Sequence, residues 1–145
     1  MDTRVASDSD MDFLCEGLKG IREAEDRTRV PVNEDDKALF LRGISQKGIL
    51  IAEIDKEPIG FIFFLRDHPI MMVPGKHLWV DQVYVRGKHR GKGVAKELWK
   101  QVTSIAKEEG FERIAIDVYT ANERSARFHE SIGFLPLYTI YTKDI

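Results

Sequence analysis

Leu78–Val85 is a run of strand formers. Arg90-Gly91-Lys92-Gly93-Val94-Ala95 follows it. Lys92–Glu109 then repeats Val94, Leu98, Val102 and Ile105 at a period near 3.6. Strand, glycine turn and amphipathic helix in direct succession point to an α/β fold built on one sheet. The turn also carries chemistry. Two glycines opening a helix gather several backbone N–H groups around one small volume, and the positive end of the helix dipole adds to their pull. Gly91 and Gly93 lack the Cβ atoms that would hold a pyrophosphate off the main chain. A phosphorylated ligand is therefore expected at Arg90–Ala95.

The flanking sequence extends the α/β pattern. Thr3–Ala6 reads as a short strand. Met11, Leu14, Cys15, Leu18 and Ile21 mark a helix, with Ser7 to Asp10 as capping residues. Arg22–Val32 reads as loop. Asn33–Asp36 starts a second helix, with Ala38, Leu41 and Ile44 on one face. Ile49–Ile54 and Ile59–Leu65 form a hairpin. Arg66–His77 is a loop and Ile114–Val118 a strand. Asn122–Ile132 is a helix capped by Asn122, and Phe134–Tyr141 is read as closing β structure.

Composition narrows the function. The 145 residues fit one domain, 1–145, and a chain 43% hydrophobic and 32% charged belongs with globular proteins. A net charge of −2 counts against a nucleic-acid binder. The lone Cys15 permits no internal disulfide, so a reducing, cytoplasmic setting is expected. No apolar run approaches a membrane span. His68 and His77 lack ligand spacing, and no metal site is expected. A Walker-type loop fails: Gly87 and Gly91 enclose three residues rather than four, and Gly93 stands where a hydroxyl residue is needed.

Arg90-x-x-Gly93-x-Ala95 matches the acetyl-coenzyme A signature Arg/Gln-x-x-Gly-x-Gly/Ala. The stretch from Asn122 to Gly133-Phe134 matches a second element of the same family. On these motifs, and on the order of elements from Thr3 to Tyr141, the chain resembles the GNAT superfamily of N-acetyltransferases. The resemblance implies a mixed, mostly antiparallel sheet whose central fourth and fifth strands splay apart, flanked by helices. It implies acetyl-coenzyme A as acyl donor, with Arg90, Gly91, Lys92, Gly93, Val94 and Ala95 around the pyrophosphate. Val83 and Val85 would pair with the pantetheine arm, and Asn122 and Ser125 would line its far side. The acceptor would be the primary amine of a small molecule or peptide, attacking directly in a ternary complex. A homodimer is common in such families.

The resemblance also assigns catalytic roles. The Val83 N–H would stabilise the oxyanion. Asp81, expected to alternate onto the face of Val83 and Val85, is the candidate base, since similar enzymes acting on polyamines carry an acid there. His129 stands where many relatives have a tyrosine general acid, and Tyr138 and Tyr141 are the alternative donors. Beside these roles stand plainer ones: a structural carboxylate for Asp81, a packed histidine for His129, a surface loop for Arg86 and Lys88. Glu23, Glu25 and Asp26 could attract a cationic amine or be ordinary solvated charges. A non-catalytic acyl-coenzyme A sensor on the same fold is the competing function.

Overall fold

The computed structural model describes all 145 residues, Met1–Ile145. The elements in chain order are β1 (Asp2–Val5), α1 (Met11–Ala24), α2 (Glu34–Ser45), β2 (Ile49–Ile54), β3 (Glu57–Leu65), β4 (His77–Val85), α3 (Val94–Glu108), β5 (Arg113–Ile116) and α4 (Glu123–Ser131). The strands form one sheet in sequence order, with β4–β5 parallel and the other three pairings antiparallel. Asp55 and Lys56 alone join β2 to β3. Both have positive φ, 49° and 65°, as the tight turn that follows strand twist requires.

Strand alternation sends side chains to two layers. Leu50, Ile62, Phe64, Leu78 and Val80 pack with Leu98, Trp99 and Val102 of α3. Ile49, Ile51, Phe61 and Phe63 pack with Leu14 and Leu18 of α1 and Phe40 of α2. Burying each such side chain contributes about 1.5–3 kcal/mol. Gly17 lets α1 approach the sheet, because a Cβ there would collide with the Phe61 ring.

β4 is irregular at the place that matters. Phe63 pairs with Gln82 and Phe64 with Val80, so Asp81 is the extra residue of a bulge. β5 then pairs with β4 only from His77↔Arg113 to Val80↔Ile116. Beyond Val80, β4 runs on to Val85 without a partner on its β5 side, because β5 ends at Ile116.

Several sequence expectations shift. Phe134–Tyr141 forms no strand, and Leu135–Ile145 is exposed throughout. β5 is consequently an edge strand rather than a central one. Pro136 withholds a ladder donor, and the segment meets no partner strand within the chain. In α2 the buried positions are Phe40 and Gly43, with Leu39 and Ile44 packed beside them, while Ala38 and Leu41 are exposed; of the expected Ala38, Leu41 and Ile44 face, only Ile44 meets the core. Helix α1 runs on through Arg22 to Ala24, where Arg22 forms paired hydrogen bonds to Asp36 at 2.9 and 3.0 Å.

Candidate active site

The Arg90–Ala95 turn has the conformation its glycines allow. Gly91 and Gly93 have φ of +72° and +85°, where a side chain is strained, and Gly93 is the N-cap of α3. No side chain caps this helix. The backbone N–H groups from Gly91 to Lys96 donate to no group of the chain, whereas those of Arg90 and Glu97 bond to Gly87 and Gly93 carbonyls. Six successive donors thus meet at the positive end of a fifteen-residue helix. Arg90 steadies the approach by donating from Nε to the Val85 carbonyl at 2.9 Å. Arg124, from the start of α4, lies near enough that Arg90's charge, after burial, lowers its pKa. Two guanidiniums therefore attend the turn.

Arg86 is not the solvated loop residue its sequence setting suggests. It forms paired hydrogen bonds to Glu16 of α1 at 2.8 and 2.9 Å, reaches Glu57 at 3.1 Å and donates to the Pro58 carbonyl at 2.9 Å. Glu16 in turn is held below the usual carboxylate range by the Arg86 hydrogen bond. Lys88 remains solvated.

Asp81 and Asp117 each follow the last paired residue of their strand, Val80 and Ile116. They lie close enough for the charge of Asp81 to act on Asp117. Crowding by surrounding protein, and then the negative charge of Asp81, raise the pKa of Asp117. Trp79 Nε1 donates to Asp81 Oδ1 at 3.4 Å, and Gln82 Nε2 to Oδ2 at 3.2 Å. The expectation that Asp81 shares the face of Val83 and Val85 needs correcting. The bulge slips the alternation by one, so Val83 and Val85 pack on the α3 layer with Val80, while Trp79 and Tyr84 belong to the α1–α2 layer. Glu25, just beyond α1, is raised in pKa by burial, with Asp117 adding to the effect against Arg27. Arg27 pairs with Glu25 at 3.1 Å and lies over the Tyr119 ring at 4.7 Å.

On α4 the structure joins three expected residues. Asn122 Oδ1 accepts from the Ser125 N–H at 3.2 Å, capping the helix. His129 Nδ1 lies 2.7 Å from the Ser125 carbonyl oxygen, which can only accept, so Nδ1 carries the hydrogen. His129 Nε2 is buried without a partner, and the ring is edge-on to Trp99 at 5.4 Å. Burial lowers its pKa below 6.5. Tyr138 and Tyr141 stand exposed on the C-terminal segment and join no hydrogen bond to this group. No group of three or more His, Cys, Asp or Glu side chains is arranged to hold a metal ion.

Sequence reading missed Asp117 and Arg124. Asp117 is visible only once the β4–β5 register is known. Arg124 stands between two motif positions, Asn122 and Ser125, and that was the available signal. Glu25 could be singled out from Glu23 and Asp26 only by its approach to Asp117.

Known proteins resemble this chain in sequence and fold. The sequence profile of the Acetyltransferase (GNAT) family matches residues 18–134. A thialysine N-epsilon-acetyltransferase of Caenorhabditis elegans is 26% identical over 126 residues, 86% of this chain and 76% of that enzyme. Among solved structures, a tetramutant of the BH1408 protein from Bacillus halodurans superposes with a TM-score of 0.81 at 18% identity, covering all of both chains. AAC(6')-Iy, in complex with the bisubstrate analog CoA-S-monomethyl-acetylneamine, superposes with a TM-score of 0.78 at 18% identity, over 99% of this chain and 97% of that one. At such identities the superpositions speak for the fold, and the profile match decides the lineage. With the signature turn, the parted strands and the capped fourth helix all present, the chain belongs to the acetyltransferase (GNAT) family.

Proposed function

We propose that this chain, acting as one domain over residues 1–145, is an acetyl-coenzyme A-dependent N-acetyltransferase. Its acceptor is the primary amine of a cationic small molecule or peptide. The observation that carries this reading is the set of six undirected N–H donors from Gly91 to Lys96. A Cβ at Gly91 or Gly93 would meet no protein atom within 4 Å, so both positions stay glycine for their backbone conformation rather than for packing. That cradle fits a diphosphate. Arg90, Gly91, Lys92, Gly93, Val94 and Ala95 would hold it, with Arg124 adding charge. Val83 and Val85 would pair with the pantetheine arm along the unpaired edge of β4, as an added strand does. Asn122 and Ser125 would border its other side. Bound acetyl-coenzyme A supplies a thioester carbon activated for acyl transfer.

The chain's own groups account for the rest. An alkylamine has a pKa of about 10.4 and arrives as an ammonium. Asp81, Asp117 and Glu25 attract that cation. Asp81, held by Trp79 and Gln82, takes its proton through water, a contribution of about 10²–10⁴ in rate. The Val83 N–H donates to the charge that develops on the acyl oxygen. His129 is the less suited general acid. Its one hydrogen is committed to Ser125, and burial opposes the charged ring. We assign His129 to holding Ser125 and the start of α4 in place. A leaving thiolate with an ordinary pKa of about 8.5 can take its proton from water.

Calorimetric titration with acetyl-coenzyme A tests the donor site, and sub-millimolar binding is expected. A panel of amines with thiol release as readout tests the transfer. Binding with no turnover on any amine would favour the acyl-coenzyme A sensor.

A further inference from the structure

Arg27 keeps a pair of donors uncommitted just beyond α1. Its backbone is fixed by the way the helix closes. The Arg27 N–H donates to the Arg22 carbonyl at 2.7 Å and the Asp26 N–H to the Glu23 carbonyl at 3.2 Å, while Asp26 takes the left-handed φ of +58° that ends such a helix. The side chain reaches the loop after β5, where its guanidinium lies 4.7 Å over the Tyr119 ring. Tyr119 is itself held, since its carbonyl accepts from the Asn122 N–H at 2.9 Å. Arg27 Nη1 donates to Glu25 Oε1 at 3.1 Å, and Nε and Nη2 donate to no group of the chain. Those two nitrogens form one edge of the guanidinium, a fork that matches both oxygens of a carboxylate. Arg86 makes that match in the same molecule, with Nε and Nη2 on the two oxygens of Glu16 at 2.9 and 2.8 Å. The Arg27 side chain is 32% exposed, within reach of a solute.

We propose that Arg27 is a specificity-determining residue that receives a carboxylate of the acceptor, so that the preferred acceptor is an amine that also carries a carboxylate. The inference rests on the transferase reading above. Asp117, two residues before Tyr119, lies within reach of both the Arg27 and the Asp81 charges. Acid groups and an uncommitted guanidinium edge together make a site with two ends of opposite sign. A molecule bearing an ammonium and a carboxylate satisfies both ends. An acceptor with a second ammonium there would meet the Arg27 charge instead, which selects against it. Glu25 and the Tyr119 ring hold the guanidinium plane, so little freedom is lost when the fork closes on its partner.

Acceptors matched in all but the carboxylate test this: L-lysine against L-lysinamide, L-ornithine against L-ornithinamide, and β-alanine against β-alaninamide. In at least one pair the acid is expected to have a KM about tenfold to a hundredfold below its amide, the size expected of charge-assisted hydrogen bonds. Arg27→Lys keeps a charge beside Glu25 and removes the fork. It should bring the two KM values together, with kcat for the acid little changed. A second readout needs neither turnover nor a variant. The Arg27 Nε–H NMR signal of isotope-labelled wild-type protein, with coenzyme A bound, should move on adding L-lysine and stay in place with L-lysinamide. Amides used as well as acids, a preference for the acid undiminished by Arg27→Lys, or an Nε–H signal indifferent to the carboxylate would each overturn the proposal and leave the transferase standing. Transfer to no amine, with the Nε–H signal still moving for the acid alone, would sink the transferase reading and uphold the carboxylate site.

Discussion

Asp81 and Asp117 each lie one residue past Val80 and Ile116, the last paired residues of β4 and β5, and crowding by surrounding protein, then the charge of Asp81, raises the pKa of Asp117. Removing the Asp81 charge should let Asp117 titrate closer to the ordinary 3.8. Carboxyl-carbon NMR of Asp81→Asn is expected to show Asp117 moving down. An unmoved Asp117 would mean that the surrounding protein, not Asp81, sets its value.

The pair also separates two kinetic roles. Asp81→Asn should lower kcat by about 10²–10⁴, as loss of a general base does. Asp117→Asn should chiefly raise KM for a cationic amine, because it removes attraction rather than proton transfer. Steady-state kinetics on a diamine would distinguish them. Equal losses in kcat would contradict this division.

Gly93→Ala and Gly93→Glu test the cradle in graded steps. The alanine methyl strains a backbone at φ +85° at a cost of roughly 1–2 kcal/mol, so coenzyme A affinity should fall about tenfold. The glutamate adds bulk and repulsion and should abolish measurable binding. Calorimetry reads both, and normal binding by Gly93→Glu would place the diphosphate elsewhere.

Stability should fall with acid in two windows. Burial depresses the His129 pKa, so the folded state favours the neutral ring. That stability is complete above pH 6.5 and declines as pH falls toward the folded value. Asp10 and Asp36 are held below the usual 3.8 chiefly by hydrogen bonds from Arg4 and Arg22. Their contribution is complete above pH 3.8 and is lost as pH falls through the lower folded values. Urea midpoints measured against pH should show both declines. His129→Gln should remove the first, and Asp10→Asn should cost about 1.5–3 kcal/mol at neutral pH and shrink the second.

Much of this protein is legible in its sequence where local chemistry is self-sufficient. The Gly91–Gly93 turn and the Asn122 cap announce themselves because each is built from a few adjacent residues. Asn122 meets Ser125 as its spacing suggests, and α3 needs no more than its apolar period. What escaped depends on contacts between distant segments. The bulge at Asp81 arises from pairing with Phe63 and Phe64, so period-two counting along β4 alone put Asp81 on the wrong face. Arg86 looked solvated because its partners, Glu16 and Glu57, lie 70 and 29 positions away. The arm from Leu135 has strand propensity, but propensity does not supply a partner.

The guanidinium of Arg86 ties the middle of α1 to the β2–β3 turn, four positions ahead of Arg90. Helix α1 cannot drift outward without dragging on the residues that lead into the Arg90–Ala95 turn. On the proposed function, acceptor size and donor grip would be mechanically joined, and an amine that forces α1 away would loosen the hold on coenzyme A.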